Sequence, residues 1–450
     1  MRFRPALLVV ATFGALILAG TVLLQMLVHR SGQAHPEIIT SAFTSVSAVC
    51  VTGLSVVDLS RDMGFGGQLA VLVLIQIGGI GVLTLSNWIL LSLRGRLGVY
   101  ESVLTHTTFG AHPRVSPTVL VRRILVFTLS IEGAGALVLF LRFLVDFHPR
   151  QAAWLAVFHS VSAFCNAGFS LFGNSLIGYR EDVVVNLTVM VLIVLGGLGF
   201  VAAMDVIEQI GAKIHGVRRK LAVHTRLVVT TTLILIVTGT LVFLVFEWNN
   251  SFATETFGAE FVQSFFLSVT ARTAGFNTVE TAHLTNMTLV IVILLMIIGA
   301  SPGSTGGGVK TTSLVVLWTL VRSHLLNRPE AEVSGRRIPT ELVAKALALV
   351  VLYGCVVVLG MIALQATEFG ELPHQTTRGM FLEHLFEVVS ALSTVGLSTG
   401  VTTQLSDSGL LVLMGLMFVG RVGPLVIAAS LIGERSQLKF RYAETDIMIG

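Results

Sequence analysis

One phrase is written four times in this chain, and no other feature limits the possible folds so much. It reads VSAVCVTGLS up to Ser55, VSAFCNAGFS up to Ser170, SVTARTAGFN up to Asn277 and VSALSTVGLS up to Ser398. Aligned on Gly53, Gly168, Gly275 and Gly396, the copies are 115, 107 and 121 residues apart. A motif repeated at this spacing implies four copies of one structural unit in a single polypeptide. Four small, hydroxyl-rich loops ending in glycine can surround one axis with pseudo-fourfold symmetry.

The solvent for such an arrangement is set by composition. The chain is 54% hydrophobic and 12% charged, with a mean hydropathy of +0.86, whereas soluble domains carry roughly 25% charged residues. Residues 5–28 contain no charge; a helix of that length covers about 36 Å, against a hydrocarbon core of about 30 Å. The stretch is too long for a cleaved signal peptide and lacks its small-residue cleavage site. An all-α integral membrane protein is expected. Cys50, Cys165 and Cys355 are too few and too scattered for a disulfide framework or a transition-metal site, and no paired histidine spacing suggests one. The basic pI near 9.2 follows membrane topology and gives no reason to expect nucleic acid as a partner.

Each copy of the phrase lies in a unit of outer helix, short re-entrant helix and inner helix. The expected outer helices are 5–28, 119–142, 225–247 and 342–365; the re-entrant ones 36–49, 151–164, 258–271 and 378–392; the inner ones 67–92, 183–209, 287–322 and 409–433. Eight spanning helices and four half-helices follow, in one membrane domain over 1–450. Its repeats are 1–95, 115–212, 222–325 and 340–434, with a cytoplasmic tail at 435–450. Of the 29 Lys and Arg, 20 fall on the side of the termini, while Arg30, Arg61, Arg142, Arg150, Arg180 and Arg378 fall on the other. The positive-inside rule then places both termini in the cytoplasm and brings the half-helices in from outside.

A half-helix that enters from outside points the negative end of its dipole at the membrane centre, which favours a cation there. The chain returns outward through Val51-Thr52-Gly53, Asn166-Ala167-Gly168, Thr273-Ala274-Gly275 and Thr394-Val395-Gly396. No carboxylate lies in these loops, so backbone carbonyls are the expected ligands; they can replace the hydration shell of a monovalent cation. Glycine suits dihedrals and close approaches that a Cβ forbids. The structural alternative is that these glycines only permit tight helix packing.

This plan of four helix–pore–helix units with one filter glycine each resembles the Trk/Ktr/HKT superfamily of cation-translocating proteins over essentially the whole chain. It is most similar to the membrane subunits of the Ktr branch, on the count of eight spans and on the ending RYAETDIMIG. The resemblance implies a potassium-translocating pore in a bacterial plasma membrane, with K+ as the transported ion and Na+ considered as an activator. In the superfamily, glycine at all four filter positions goes with potassium selectivity, and serine in the first repeat with sodium-permeable plant relatives. It also implies a homodimer with one pore per protomer and a cytoplasmic ring of KtrA-type nucleotide-binding subunits, since no nucleotide motif is present in this chain. Outside the repeated glycine, none of the four filters reads like the longer filter phrase of tetrameric potassium channels.

Two features break the repetition. Residues 299–310 read GASPGSTGGGVK, with five glycines and a proline that cannot stay helical in mid-membrane. Irregular backbone at that depth must line a cavity or be buried in protein. Gly299, Ser301, Pro302, Gly303, Ser304, Thr305, Gly306, Gly307, Gly308 and Lys310 are therefore read as a flexible gate below the filter, as the resemblance also implies. A phosphate-binding loop is rejected, because the spacing is wrong and no strand precedes it. Milder breaks at Gly78–Gly81 and Gly196–Gly199 are read as packing kinks. Arg421, the only charge between Asp407 and Glu434, costs about 2.5–3.5 kcal/mol at a helix centre, so it needs a cavity or a polar partner. It is expected to bind carbonyls of the glycine loop and oppose cation passage. Arg272, just before the third filter, is expected to pair with Glu383 or Glu387. An alternating-access symporter coupled to Na+ or H+ is the competing function, because broken helices also mark carriers. No catalytic residues are assigned.

Overall fold

A computed structural model describes residues 5–30, 38–81, 117–217, 219–251, 256–328, 330–370, 372–373, 375–424 and 426–427. The expected helical stretches 82–92 and 428–433, the tail 435–450 and the basic residues Arg2, Arg4, Arg94, Arg96, Arg114, Arg218, Arg435, Lys439 and Arg441 lie outside these residues.

The first quarter of the chain holds α1 (Pro5–Arg30), α2 (Ile38–Cys50), the single turn α3 (Leu59–Asp62) and α4 (Phe65–Ile80). The second holds α5 (Pro117–Phe143), α6 (Pro149–Phe164), α7 (Val183–Gly197) and α8 (Phe200–Ile214). The third holds α9 (Val223–Glu247), α10 (Phe257–Thr270), α11 (Asn286–Ile297) and α12 (Thr311–Leu325). A two-residue antiparallel ladder, β1 (Glu332–Val333) with β2 (Arg336–Arg337), leads to the fourth: α13 (Thr340–Phe369), α14 (Met380–Leu392) and α15 (Asp407–Val422).

Among the described residues, α1, α5, α9 and α13 are each long and apolar enough to cross a membrane. Their outward faces leave Leu18, Leu129, Leu241 and Leu359 more than half exposed, a surface suited to hydrocarbon and not to water. In contrast, α2, α6, α10 and α14 are 13 to 16 residues long and their last turns, residues 44–50, 162–164, 266–270 and 386–392, are buried. A helix too short to span is stable at that depth only when protein surrounds it.

The expected inner helices 183–209 and 287–322 are not continuous. α7 and α8 meet at 112°, and α11 and α12 are separated by the irregular residues 298–310. The second break turns on Gly199, whose φ is +87°. Gly81 and Gly423 end α4 and α15 with φ of +89° and +95°, so three of these helices stop at the same kind of left-handed glycine.

Three small devices hold the quarters in shape. Asp182, Thr285 and Ser406 cap the N-termini of α7, α11 and α15 by accepting from Val185, Thr288 and Gly409 N–H groups. The preceding long helix then grips each cap. Arg142 donates to Asp182; Glu247 accepts from the Thr285 amide and hydroxyl at 2.9 Å each; Glu368 accepts from the Ser406 hydroxyl at 2.7 Å. Finally, α1, α5 and α9 each place a glycine against a serine of the half-helix. A methyl on Gly20, Gly135 or Gly239 would fall 2.4, 2.7 or 2.3 Å from the hydroxyl of Ser45, Ser160 or Ser268.

A candidate ion-binding ring and the loop beneath it

The buried ends of the four half-helices carry the repeated phrase, and its backbone geometry is local in origin. Val51, Asn166, Thr273 and Thr394 all have positive φ, between +51° and +68°. That region is ordinarily reserved for glycine at a helix C-terminus, and for a β-branched residue it is a true outlier. In the first, second and fourth copies the cap is a Schellman motif. Val51, Asn166 and Thr394 N–H groups donate to Ala48, Ala163 and Ala391, and Thr52, Ala167 and Val395 N–H groups donate to Ser47, Ser162 and Ser390. The third copy departs, with Ala274 N–H donating to Thr270.

Hydroxyls of the phrase then hold the outgoing strand. Ser162, Thr270 and Ser390 donate to the carbonyls of Phe169, Phe276 and Leu397 at 2.7, 2.8 and 2.6 Å, while the Gly53 and Gly396 amides donate to Ser47 and Ser390 hydroxyls at 3.1 Å each. With its amide nitrogen turned to the Ile193 and Ala163 carbonyls, 3.2 Å from each, the Asn166 side chain donates to both.

The four loops meet in a closed cycle. A methyl on Gly53 would fall 2.4 Å from the Ala167 carbonyl oxygen; on Gly168, 2.8 Å from that of Ala274; on Gly275, 2.3 Å from that of Val395; and on Gly396, 2.1 Å from that of Thr52. Each glycine therefore leans on the backbone of the next loop, and the fourth leans on the first. The hydroxyls of Thr52, Thr273 and Thr394 are buried here without a hydrogen-bond partner. Buried polar oxygens are normally satisfied; of these three, the Thr273 and Thr394 hydroxyls lie against Gly306 and Gly307.

Residues 298–310 pack against this ring. They are held by hydrogen bonds of their own: Gly299 N–H donates to Val309 and Ala300 N–H to Gly307, the Ser304 hydroxyl donates to the Ser301 carbonyl at 2.6 Å, and the Lys310 ammonium donates to the Gly306 carbonyl at 2.7 Å. The loop also satisfies open carbonyls of the second quarter: the Ser301 and Thr305 N–H groups donate to Gly197 and Gly196, and the Thr305 hydroxyl donates to Phe164 at 3.2 Å, while in return the Phe200 N–H donates to the loop carbonyl of Gly303. Gly306 and Gly307 touch the ring, where a methyl would fall 2.2 and 2.3 Å from the Thr273 and Thr394 hydroxyls. Pro302 and Gly303 pack on Gly199, and Gly308 on Gly299. Across this junction, the Arg421 guanidinium donates to the carbonyls of Thr305 and Gly78.

The packing reading of Gly78–Gly81 and Gly196–Gly199 accounts for part of what they do: methyls on Gly78 and Gly196 would fall 2.1 and 1.9 Å from the Val49 and Phe164 carbonyls. Gly199 adds the sharp bend. Arg272 is placed differently from expectation. It is 7% exposed and donates to the Thr232 hydroxyl at 3.4 Å, lying beside Ile193, Val194 and Gly197 of α7. Glu387 faces the other way, accepting from Ser398, Thr399 and Thr402, so the expected pairing with Glu383 or Glu387 does not form. A buried acid escaped sequence reasoning. Glu132, in mid-α5, accepts from Gln76 at 3.1 Å on both oxygens and lies 3.8 Å from the Cys165 thiol. A lone carboxylate inside an apolar span was the available signal.

Long apolar helices around short buried ones, whose capped ends converge on a backbone-lined ring, define a helical membrane-type protein. Residues 4–438 match the TrkH family, described as cation transport protein, and the chain belongs to that family. It is 33% identical to the Ktr system potassium uptake protein B of Vibrio alginolyticus, across 99% of this chain and 95% of that protein. It is also 33% identical to the potassium/sodium uptake protein NtpJ of Enterococcus hirae, across 100% and 98%. The fold is similar to the crystal structure of the potassium transporter TrkH from Vibrio parahaemolyticus, with a TM-score of 0.70 at 22% identity, covering 93% of this chain and 84% of that one.

Proposed function

We propose that this chain is a potassium-translocating pore subunit that carries K+ into the cell through the ring of Gly53, Gly168, Gly275 and Gly396. The observation that carries this reading is the closed cycle, in which each glycine abuts the carbonyl of the next loop. Left-handed Val51, Asn166, Thr273 and Thr394, each followed by a residue of negative φ and then a left-handed glycine, alternate the sign of φ. Such alternation turns successive carbonyls to one side, as a carbonyl-coordinated monovalent cation requires. The unpartnered hydroxyls of Thr52, Thr273 and Thr394 suit the same occupant.

In this reading the four quarters, 1–95, 115–212, 222–325 and 340–434, are repeats around a pseudo-fourfold axis, with half-helices entering from outside and both termini in the cytoplasm of a bacterium. The relatives' names support potassium as cargo, and the NtpJ name also includes sodium. Residues 299–310 form the gate, and Arg421 latches it. Because the loop is tied to the second quarter and through Arg421 to the fourth and first, opening requires those bonds to break. A cytoplasmic KtrA-type ring, acting on a homodimer, would supply the work; relatives belonging to a "Ktr system" support a partner of this kind.

Complementation of a potassium-uptake-deficient bacterium tests the reading. The wild-type chain restores growth at low K+, and Gly53→Ser lowers the preference for K+ over Na+ while retaining transport. A Gly53→Ser protein with unaltered ion preference refutes the filter assignment. Saturation with strict coupling to Na+ or H+ in liposomes would favour the symporter instead.

A further inference from the structure

The outer edge of the ring is held by two side chains that occupy the same place in opposite quarters. His159 and Glu387 each lie nine residues before a filter glycine, Gly168 and Gly396, and both are 0% exposed. Their chemistry differs but their bonding matches. Glu387 Oε1 accepts from the Ser398 hydroxyl at 2.6 Å and the Thr399 N–H at 3.2 Å, and Oε2 accepts from the Thr402 hydroxyl at 2.6 Å. His159 Nδ1 lies 2.8 Å from the Leu155 carbonyl. A carbonyl only accepts, so Nδ1 carries the proton and Nε2 is the acceptor. Nε2 then accepts from the Ser170 hydroxyl at 2.9 Å and the Leu171 N–H at 3.4 Å. In both quarters the partners are the hydroxyl two residues past the glycine and the amide three past it.

The other two quarters lack this contact. Thr44 and Phe266 stand nine residues before Gly53 and Gly275. Thr44 turns its hydroxyl to the Thr40 carbonyl at 2.9 Å, and Ser55 bonds locally to Val57. The third return segment is held from outside its own quarter, with the Asn277 amide donating to the Ser175 hydroxyl at 3.0 Å. Since the cycle runs Gly53, Gly168, Gly275, Gly396, the second and fourth loops face each other across the ring.

Resting on the pore reading above, we infer that His159 and Glu387 are paired positioning residues. As acceptors buried behind the filter, they fix how far the second and fourth return segments stand from the axis, and so set ion discrimination along one diagonal of the ring. A buried acceptor is hard to replace, because its removal leaves several donors unsatisfied at once. Neither residue touches the ion.

The test uses purified full-length protein in liposomes. Rb+ uptake is measured against Rb+ concentration and against competing Na+, and size-exclusion elution reports folding. Glu387→Ala and His159→Ala are expected to raise half-saturation and lower discrimination against Na+, each by about tenfold. Glu387→Gln is expected to restore discrimination to within about twofold, since its amide oxygen still accepts from Ser398 and Thr399 and its NH2 group can donate to the Thr402 hydroxyl. Should Glu387→Ala fail to fold, Ser398→Ala removes the donor instead and is expected to shift discrimination the same way. Alanine variants that fold and discriminate like wild type overturn the inference, and so does Glu387→Gln being as impaired as Glu387→Ala. A wild-type protein with no preference for K+ or Rb+ over Na+ overturns the filter reading itself.

Discussion

Replacing Arg421 with alanine removes both bonds that run from the fourth quarter to the Thr305 and Gly78 carbonyls. Hydrogen bonds from a charged donor contribute about 1.5–3 kcal/mol each. Only the Thr305 bond holds the loop itself, the Gly78 bond fixing the guanidinium to the first quarter, so the bias towards the closed position is about 1.5–3 kcal/mol, roughly tenfold to a hundredfold in the ratio of closed to open. The substitution also takes a guanidinium out of the membrane interior, so the protein itself is not expected to lose stability in proportion. The assay is Rb+ uptake into liposomes holding the purified chain with no cytoplasmic partner, normalised to reconstituted protein. Wild type should be nearly silent and Arg421→Ala should conduct, with a gain of at least about threefold even if half of the bias is recovered by water. Arg421→Lys should fall between them, since one ammonium lacks the guanidinium fork that reaches both carbonyls. If Arg421→Ala remains as silent as wild type while a gate deletion conducts in the same assay, Arg421 is not the latch.

Removing residues 303–308 should open the pore, because it deletes the segment resting on Thr273 and Thr394; an unchanged flux at equal reconstitution counts against a gate there. Gly239→Ala places a methyl 2.3 Å from the Ser268 hydroxyl and 3.1 Å from Leu295, and should lower stability by about 1–3 kcal/mol. Gly258→Ala, with nothing within 4 Å, should leave the melting temperature unchanged, and thermal unfolding in detergent measures both. Glu247→Ala leaves the Thr285 amide and hydroxyl without their shared acceptor and should cost about 1–3 kcal/mol in the same assay.

The repeated phrase was enough to locate every half-helix within about two residues, because its small residues, hydroxyls and glycine serve local bonds that end a helix and return the chain. The long helices were legible for a different reason, since an apolar stretch of that length has few other fates. Reasoning failed where the partner is remote in sequence. Arg272 and Glu387 suit each other as charges, yet Arg272 meets Thr232 and Glu387 holds its own return strand, a choice made by how α10 packs and invisible in either local sequence. The sharpness of the bend at Gly199 is not legible locally, since Pro302 and Gly303, which pack on it, come from another quarter. The glycine loop was legible as non-helical, but its bonding partners were not: they are the carbonyls of Gly196, Gly197 and Phe164, which no residue of the loop announces.

The cyclic contact of the four glycines also orders the protein's assembly in time. Gly53 enters the membrane early, but one wall of its site is the turn at Gly396, which touches the Thr52 carbonyl. A chain made from the N-terminus thus carries an unfinished ring through most of its synthesis, with the strained caps at Val51 and Asn166 lacking the neighbours that hold them. Closure is the last step and a single one, made when the fourth loop meets the first. Truncated chains should therefore insert their long helices normally and yet form no closed ring at all, rather than a partial one.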